Sequence, residues 1–456
     1  MKRREKVEKV SDAPYIGTGK ELRDGEFMDF ENCTYEMLHR STTEWPCMSV
    51  DWLLPECPIT NVYKCPREHD IVKQMNYPLE CYAIAGSMAS VASKNMLYVF
   101  KFANLMKTRN DDDSEVSADE GEELDDEPCI FHQALPLKSG VNRIRAMNSY
   151  PLVAVYDEMR KVQIFDVRSS IEYLKGITKD TPKCDLKPKA EPKLLKSFTN
   201  QDEGFGLCWS PFTAGRLLTG SCDGHVYQIN PRDELCADFS RDDKPYTYHQ
   251  DSVEDINFSP TESEAFATCS VDGTIQIVDM RVGNKKKSQL KIDAHDCDVN
   301  VISWNKKAAN LIASGGDDGS FKVFDIRFPN EPAITNILWH TEPITSIEWQ
   351  PGDEWSLAVG SADNRVSVWD LSVEPDDTDP NAIKNEDVNV PDQLMFVHQG
   401  QQDLKELRWH PVYEELILTT ASDGFNIFKP NFAEDDDLNE EDENRLDFIP
   451  DQIVNE

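Results

Sequence analysis

The feature that most constrains the fold is a unit of about 45 residues that recurs along the second half of the chain. Residues 294–327 show it most clearly, as a His, an alternating apolar stretch, a run of small residues ending in Asp-Gly, and a second alternating stretch. Spacings of 49, 46, 45 and 60 residues separate the turn aspartates Asp223, Asp272, Asp318, Asp363 and Asp423. The alternation predicts antiparallel strands. Because one such unit cannot bury both faces of its sheet, the units must stack around a common axis.

The period and the strand pattern resemble those of WD repeats, which form β-propellers. In that family a His, a Ser or Thr, the turn Asp and a Trp form a buried hydrogen-bond network. The corresponding residues in three successive units are His249, Thr268 and Asp272; His295, Ser314 and Asp318; and His340, Asp363 and Trp369. Val359 stands where the third unit needs its Ser or Thr. The sequence therefore predicts that no unit keeps a full network.

The number of units predicts seven blades. Two weaker strand-rich segments, residues 79–105 and 141–168, precede the five clear units. The last unit is short, and residues 48–53 (MSVDWL) are the predicted N-terminal strand that completes it. The predicted fold class is all-β: a seven-bladed WD-repeat β-propeller over residues 46–430, with an α-helix in the N-terminal arm (residues 1–45) and acidic disordered insertions.

Several functional classes are disfavoured by what the sequence lacks. There is no apolar run of about 18 residues, and the N-terminus MKRREKVEKV is charged, so neither a membrane span nor a signal peptide is expected. The twelve cysteines are scattered with no Cys-x-x-Cys pair, which predicts no zinc site. No nucleophile motif or phosphate-binding glycine loop appears. We therefore expect a protein without cofactor, metal or enzymatic activity.

Acidic residues are concentrated in a few segments. The chain has 84 acidic and 47 basic residues, a net charge of −37. Residues 434–443 in the C-terminal tail (431–456) hold eight acids and no base, and residues 372–392 form a further acidic loop. Residues 111–127, the acidic block, hold eleven acids and no base: Asp111, Asp112, Asp113, Glu115, Asp119, Glu120, Glu122, Glu123, Asp125, Asp126 and Glu127. Segments of this composition are predicted to be disordered.

The charge predicts a basic partner and argues against direct binding of nucleic acid, since neutralising phosphates needs Lys and Arg. The division of labour that we expect is a propeller face that grips a structured part of the partner, with the acidic block and tail shielding its basic extensions. Ser114 and Ser117 lie within the acidic block and are candidate phosphorylation sites. The Lys-rich segment 175–196 is expected to be a solvated loop or a targeting signal.

The N-terminal arm carries a helical pattern. Between residues 29 and 40, apolar side chains fall at i, i+3, i+7 and i+8, and Asp29 is placed as an N-cap. The helix is expected either to pack on the side of the propeller or to form one wall of a groove for a partner helix. The candidate groove residues are Phe30, Tyr35, Met37 and Leu38.

Longer segments resemble known families. The arm followed by WPCMSVDWL is similar to the N-terminal region of the histone-binding WD-repeat proteins. SGVNRIRAM (139–147), EGFGLCWSP (203–211), AHDCDVNVISWN (294–305) and FVHQGQQDLKELRWHP (396–411) resemble the glutamate-rich WD-repeat family of ribosome biogenesis factors. This resemblance covers roughly residues 20–430.

The resemblance implies a dedicated chaperone. It would be a monomeric scaffold of the nucleus and nucleolus, with shuttling from the cytoplasm left open. Its client would be a basic ribosomal protein, large-subunit ribosomal protein three, which it escorts into pre-60S particles. Two alternatives stay open. One is a histone-binding chromatin-assembly protein, and the other is a substrate receptor of a cullin ubiquitin ligase. The latter is suggested by Asp-x-Arg sequences ending at Arg168, Arg281 and Arg327, which otherwise are expected to pair between blades.

Overall fold

The computed structural model describes residues 34–55, 75–108, 128–147, 149–178, 181, 190–374, 384–385 and 388–432. Within these ranges seven four-stranded antiparallel sheets are arranged as the blades of a ring. The predicted all-β, seven-bladed propeller is therefore confirmed. In each blade the first strand lines the central channel and the fourth lies at the rim.

The strands follow the chain with one exception. The first three blades comprise β2–β5 (Cys47–Leu53, Leu79–Ser87, Met96–Leu105, Cys129–Pro136), β6–β9 (Val141–Ala146, Leu152–Asp157, Lys161–Asp166, Lys193–Thr199) and β10–β13 (Leu207–Trp209, Leu217–Gly220, Val226–Pro231, Phe239–Arg241). Blades four and five comprise β14–β17 (Val253–Phe258, Ala265–Ser270, Thr274–Asp279, Leu290–Asp293) and β18–β21 (Val299–Trp304, Leu311–Gly316, Ser320–Asp325, Thr335–Leu338). Blade six comprises β22–β24 (Ile344–Trp349, Ser356–Ser361, Val366–Asp370) and β27 (Leu394–His398), with the short pair β25 (Lys384–Asn385) and β26 (Val388–Asn389) before β27. Blade seven comprises β28–β30 (Glu406–Trp409, Ile417–Ala421, Gly424–Pro430) and, as the exception, β1 (Tyr35–Ser41).

The hydrophobic core is divided among the seven contacts between neighbouring blades. Each of seven buried clusters draws its side chains from two adjacent blades, so every blade is covered on both faces. Between blades five and six, for example, Phe321 and Val323 pack against Ile347, Trp349 and Trp369. Burying one such side chain contributes about 1.5–3 kcal/mol.

The strand that closes the ring is not the predicted one. β1 pairs antiparallel with β30, from Tyr35 opposite Pro430 to Ser41 opposite Phe425. The predicted donor, residues 48–53, lies in β2, which is the channel-lining strand of blade one and pairs with β3. The prediction was wrong because both segments are apolar and extended, and only β1 lies beside the free edge of β30.

The predicted N-terminal helix is also wrong over the residues that the structure describes. Tyr35–Ser41 is a strand, while residues 29–33 lie outside the described ranges. A register shift between Tyr35 and Met37 turns these two side chains toward the clusters on opposite sides of blade seven. A bulged strand buried on both faces thus shows apolar spacings that resemble those of a helix. The propeller consequently begins at Tyr35 rather than at residue 46.

The helix of this structure lies elsewhere. α1 (Arg168–Lys175) follows β8 and buries Ile171 and Leu174 in the cluster between blades one and two. Ala92–Lys94 forms one turn of 3-10 helix. The loop predicted at 175–196 is shorter than expected, since Lys193–Thr199 is the rim strand β9. Of the helices in the described ranges, none has the length and apolar character needed to cross a membrane.

Candidate functional site

The two faces of the ring differ in what their connections contain. In blade five, Val299 at the start of the first strand lies opposite Gly316 at the end of the second. The turns entering first strands and those joining second to third strands therefore share one face, which we call the turn face. The opposite side, the insertion face, carries the connections from first to second and from third to fourth strands. Every break between two described ranges falls in an insertion-face connection.

The turn face is acidic. In the turns of blades three to seven, no Lys or Arg is exposed, whereas eight acids are: Asp202, Asp251, Asp296, Asp317, Asp318, Glu342, Asp403 and Asp423. The turn into blade four begins after Tyr246, whose bridge to Val226 extends the rim of blade three, so the exposed Lys244 belongs to that rim. The exposed bases of the turn face lie in the turns of blades one and two: Lys94, Lys138 and Arg160. Because the blades are rigidly packed, the carboxylates form one fixed negative surface that attracts cationic ligands.

A buried charge cluster lies in the central channel. The side chain of Glu406 is 2% exposed, and its carboxylate lies 3.0 Å from the Arg143 guanidinium and 2.7 Å from that of Arg145. The same carboxylate accepts hydrogen bonds from the Ser49 hydroxyl (2.6 Å) and the Val50 amide (2.9 Å). Glu406 therefore ties blade seven to both blade one and blade two.

The electrostatics of this cluster are unequal. Burial raises the pKa of Glu406, but Arg145, Arg143 and Arg408 outweigh it and hold the pKa well below its usual range. Burial raises the pKa of Asp51 and of Glu348, and Arg408 offsets only part of that rise. Glu406 is therefore the carboxylate that the guanidiniums stabilise most strongly as an anion.

Aromatic side chains surround the insertion-face mouth of the channel. A cavity of about 400 Å³ opens there, with Trp52, Trp209, Trp304, Trp349 and Trp409 in its wall. Four of these indoles donate to main-chain oxygens of the preceding blade, as in the 3.1 Å bond from Trp52 Nε1 to the Arg408 oxygen. These tryptophans therefore join adjacent channel strands, and the mouth is a stiff structural element.

One repeat network is complete, contrary to the sequence-based prediction. In blade six the Trp369 indole donates to Ser367 Oγ (2.7 Å), which lies 2.8 Å from His340 Nε2. His340 Nδ1 lies 3.0 Å from an Asp363 carboxylate oxygen. The hydroxyl that Val359 cannot supply comes from Ser367 on the neighbouring strand. The substitution of strand positions is invisible in a linear alignment of repeats.

The network of blade four is modified in another way. His249 bonds Asp272 through Nδ1 (2.9 Å) and Thr268 through Nε2 (2.8 Å). The Tyr248 hydroxyl lies 3.0 Å from Thr268 Oγ1, where a Trp is expected in this family of repeats. A tyrosine thus completes this network.

Acid should weaken the blade-six network through Asp363. Burial raises the pKa of this carboxyl, but the hydrogen bond and charge of His340 outweigh it and lower the pKa to about 2. A carboxyl whose pKa is depressed by folding stabilises the protein above its unfolded value near 3.8, and this stability is lost as the pH falls toward 2. Asp363→Asn should therefore cost on the order of 1–2 kcal/mol at pH 7. The difference from the unsubstituted protein should shrink between pH 4 and pH 2, as measured by urea unfolding. A difference that is constant with pH would contradict this assignment.

The candidate groove residues do not form a groove. Met37 is fully buried and Tyr35 is nearly so, with its hydroxyl 2.7 Å from His398 Nδ1. Leu38 is partly buried against the cluster between blades six and seven, and Phe30 lies outside the described residues. The structure therefore overturns the prediction that Tyr35, Met37 and Leu38 bind a partner helix.

Other predicted sites are placed only in part. The acidic block with Ser114 and Ser117 lies outside the described residues, as does the acidic run 434–443. The described residues flanking the acidic block belong to the connection between β4 and β5, on the insertion face. Arg281 and Arg327 do not pair between blades, because each bonds the Asp two positions before it in its own blade, Asp279 or Asp325. Both side chains are 64% exposed.

Comparisons with known proteins agree with this architecture. Residues 25–106 match the family of the histone-binding protein RBBP4 and its counterpart in the CAF1 complex, and residues 242–279, 286–325 and 333–370 match "WD domain, G-beta repeat". Ribosome assembly protein rrb1 of Schizosaccharomyces pombe is 32% identical over 432 residues, which cover 92% of this chain and 85% of the relative. Glutamate-rich WD repeat-containing protein 1 of Dictyostelium discoideum is 36% identical over 431 residues, covering 91% and 84%. The chain belongs to the glutamate-rich WD-repeat family.

The predicted resemblance is thus confirmed. A further relative of similar extent is Protein HEAT STRESS TOLERANT DWD 1 of Arabidopsis thaliana, 36% identical over 436 residues that cover 90% of this chain and 89% of the relative. In this glutamate-rich WD-repeat protein, the match to the histone-binding family covers β1, β2, β3 and β4. That region contains WPCMSVDWL, the segment that carries the resemblance to the histone-binding proteins.

Proposed function

We propose that this glutamate-rich WD-repeat protein is a non-enzymatic ribosome biogenesis factor that escorts a basic protein of the large ribosomal subunit into pre-60S particles. Large-subunit ribosomal protein three is the proposed client, and the nucleus and nucleolus are the proposed site of action. The observation that carries the proposal is the turn face, where eight acids and no Lys or Arg are exposed in the turns of blades three to seven. The name of the Schizosaccharomyces pombe relative, a ribosome assembly protein, supports it.

A fixed acidic surface suits an escort of this kind. A basic ribosomal protein that has not yet met its RNA is an unpaired polycation, and the turn face offers carboxylates in place of phosphates. Coulomb attraction of this type raises the rate of encounter and disfavours acidic competitors, nucleic acid included. The acidic block and the run 434–443 add eleven and eight acids to the same chain and are proposed to shield the client's basic extensions. Phosphorylation of Ser114 or Ser117 would increase that charge.

Histone binding is the second candidate function. It is favoured by the match of residues 25–106 to the histone-binding family, and histones are as basic as ribosomal proteins. The predicted helix-in-groove contact does not support it, since Tyr35 and Met37 are buried in the ring. Direct competition between purified ribosomal protein three and a histone H3–H4 preparation for the full chain separates the two functions.

Neutralising the turn face should weaken client binding. The test variant combines Asp202→Asn, Asp251→Asn, Glu342→Gln and Asp423→Asn, one exposed acid from the turns of each of four blades. At about 0.3–0.5 kcal/mol for each charge, the affinity for ribosomal protein three should fall roughly 10-fold. Isothermal titration calorimetry at low and rising salt measures this loss, and the difference between the two proteins should narrow as salt increases.

A control of equal charge lies on the other face. Glu262→Gln, Glu331→Gln, Glu354→Gln and Glu414→Gln remove four exposed acids from the insertion face. This control should bind within about twofold of the unsubstituted chain. Equal losses in both variants would show that only net charge matters, and the turn face would then have no specific role. Tighter binding of histones than of ribosomal protein three would replace the proposed function with the second candidate.

A further inference from the structure

We propose that His295, Cys297 and Asp318, on the turn face of blade five, form a binding site for a zinc-like divalent cation. One ligand atom of each residue (an imidazole nitrogen, the thiol sulfur and a carboxylate oxygen) lies within 4.8 Å of the other two. Imidazole, thiolate and carboxylate are the ligands that Zn²⁺ takes in proteins, and three of them leave a fourth position for water. No sequence motif marks this group, because Cys297 and Asp318 are 21 residues apart.

The neighbouring repeats show that this cluster is a departure from a shared design. In blades four and six the His Nδ1 atom bonds the turn aspartate directly, at 2.9 Å for His249 and 3.0 Å for His340. In blade five the equivalent distance, from His295 Nδ1 to Asp318, is 4.0 Å. The direct pair is therefore open in this blade alone among the three.

The turn aspartate of blade five is also held differently. Asp318 accepts hydrogen bonds from the Ser320 amide (2.9 Å) and hydroxyl (2.7 Å), and its side chain is 50% exposed. The corresponding carboxylates of blades four and six, Asp272 and Asp363, are 12% and 4% exposed. Rotation of Asp318 is therefore less restricted, and its carboxylate is accessible to an ion from solvent.

A glycine keeps the space between the ligands open. A Cβ atom on Gly316 would lie 2.6 Å from His295 Nδ1 and 2.8 Å from an Asp318 carboxylate oxygen. Blades four and six carry a serine at this position of the second strand, Ser270 and Ser361. The gap between the imidazole and the carboxylate therefore depends on the absence of a side chain at residue 316.

The cluster needs only small movements to coordinate an ion. Bond lengths of about 2.0–2.3 Å place tetrahedral ligand atoms roughly 3.3–3.8 Å apart, so each ligand would move by about 1 Å or less. His295 Nε2 lies 2.8 Å from Ser314 Oγ, a partner that orients the ring with Nδ1 toward the cluster. Binding would displace the thiol proton of Cys297, and the cation would join the histidine to the turn that it does not reach directly.

The test uses the full chain and Co²⁺, a spectroscopic substitute for Zn²⁺. Addition of one equivalent of Co²⁺ should produce thiolate-to-metal charge-transfer absorption, and one equivalent of Zn²⁺ should abolish it. Cys297→Ala should remove this absorption, and Gly316→Ala should weaken Zn²⁺ binding about 10-fold or more by filling the gap. Zn²⁺ should also raise the Tm of the unsubstituted chain but not that of Cys297→Ala.

Cys222→Ala is the matched control, since Cys222 is another partly buried thiol in a turn of the same face. This variant should bind Co²⁺ and Zn²⁺ as the unsubstituted chain does. Absence of a charge-transfer band from the folded, reduced protein would overturn the proposal, as would a band that survives Cys297→Ala. Because neither readout involves a client, failure here leaves the proposed escort function untouched.

Discussion

Replacing Glu406 by alanine should lower the free energy of unfolding by about 3–5 kcal/mol. The substitution removes the buried carboxylate that Arg143 and Arg145 contact at 3.0 and 2.7 Å and leaves their charges without this partner inside the channel. It also removes the acceptor for the Ser49 hydroxyl and the Val50 amide, which join blade seven to blade one. Loss of one member of a buried ionic cluster costs more than the cluster contributes, because the remaining charges stay desolvated.

Urea unfolding followed by circular dichroism measures this loss. Glu406→Gln keeps an oxygen acceptor for the Val50 amide and should be less destabilising than Glu406→Ala. Glu354→Gln, which changes an exposed glutamate, should fall within about 0.5 kcal/mol of the unsubstituted protein. A loss below about 1 kcal/mol for Glu406→Ala would show that the channel charges are hydrated and that Glu406 does not hold the ring together.

Removing β1 should have the larger effect on folding. A chain that starts at Thr34 keeps Tyr35–Ser41, whereas a chain that starts at Thr42 leaves the edge of β30 without its partner strand. Loss of the fully buried Met37 side chain alone is worth about 2–5 kcal/mol, a large part of the roughly 5–15 kcal/mol by which domains are stable. We expect the shorter chain to lose its cooperative thermal transition and most of its soluble yield.

The two truncations distinguish between the alternative closing strands. The chain starting at Thr34 should unfold at nearly the same temperature as the full chain. A synthetic peptide of residues 34–46 should partly restore the transition of the chain starting at Thr42, because it can pair with β30. Full stability of the shorter chain without the peptide would mean that residues 47–53, not β1, complete the ring.

The parts of the fold that repeat could be predicted from the sequence. The regular spacing of the turn aspartates and the alternation of apolar residues are local signals, and together they predict the correct number of blades. The closing strand has no such signal, since its partner β30 is almost 400 residues away and both faces of the strand are buried. Ser367 was overlooked for a related reason, because it reaches His340 from a neighbouring strand rather than from the usual position.

The surface features were less accessible to sequence reasoning. The acids of the turn face occur as one or two residues in each turn, separated by tens of residues, so no segment of the sequence looks acidic there. The dense acidic runs dominated the prediction instead. The channel cluster is similarly dispersed, with Arg143, Arg145 and Glu406 contributed by blades two and seven. Only the ring geometry brings such residues together.

The pairing of β1 with β30 also sets the order in which the molecule can be completed. β1 is among the first segments to leave the ribosome, and its partner is made some 390 residues later. At about 5–20 residues per second this is an interval of roughly 20–80 s. During that time the nascent protein is an open arc with an uncovered blade at one end and an unattached apolar strand at the other. A protein proposed to protect a newly made partner therefore has a vulnerable period of its own, which ends only when the last blade has been synthesised.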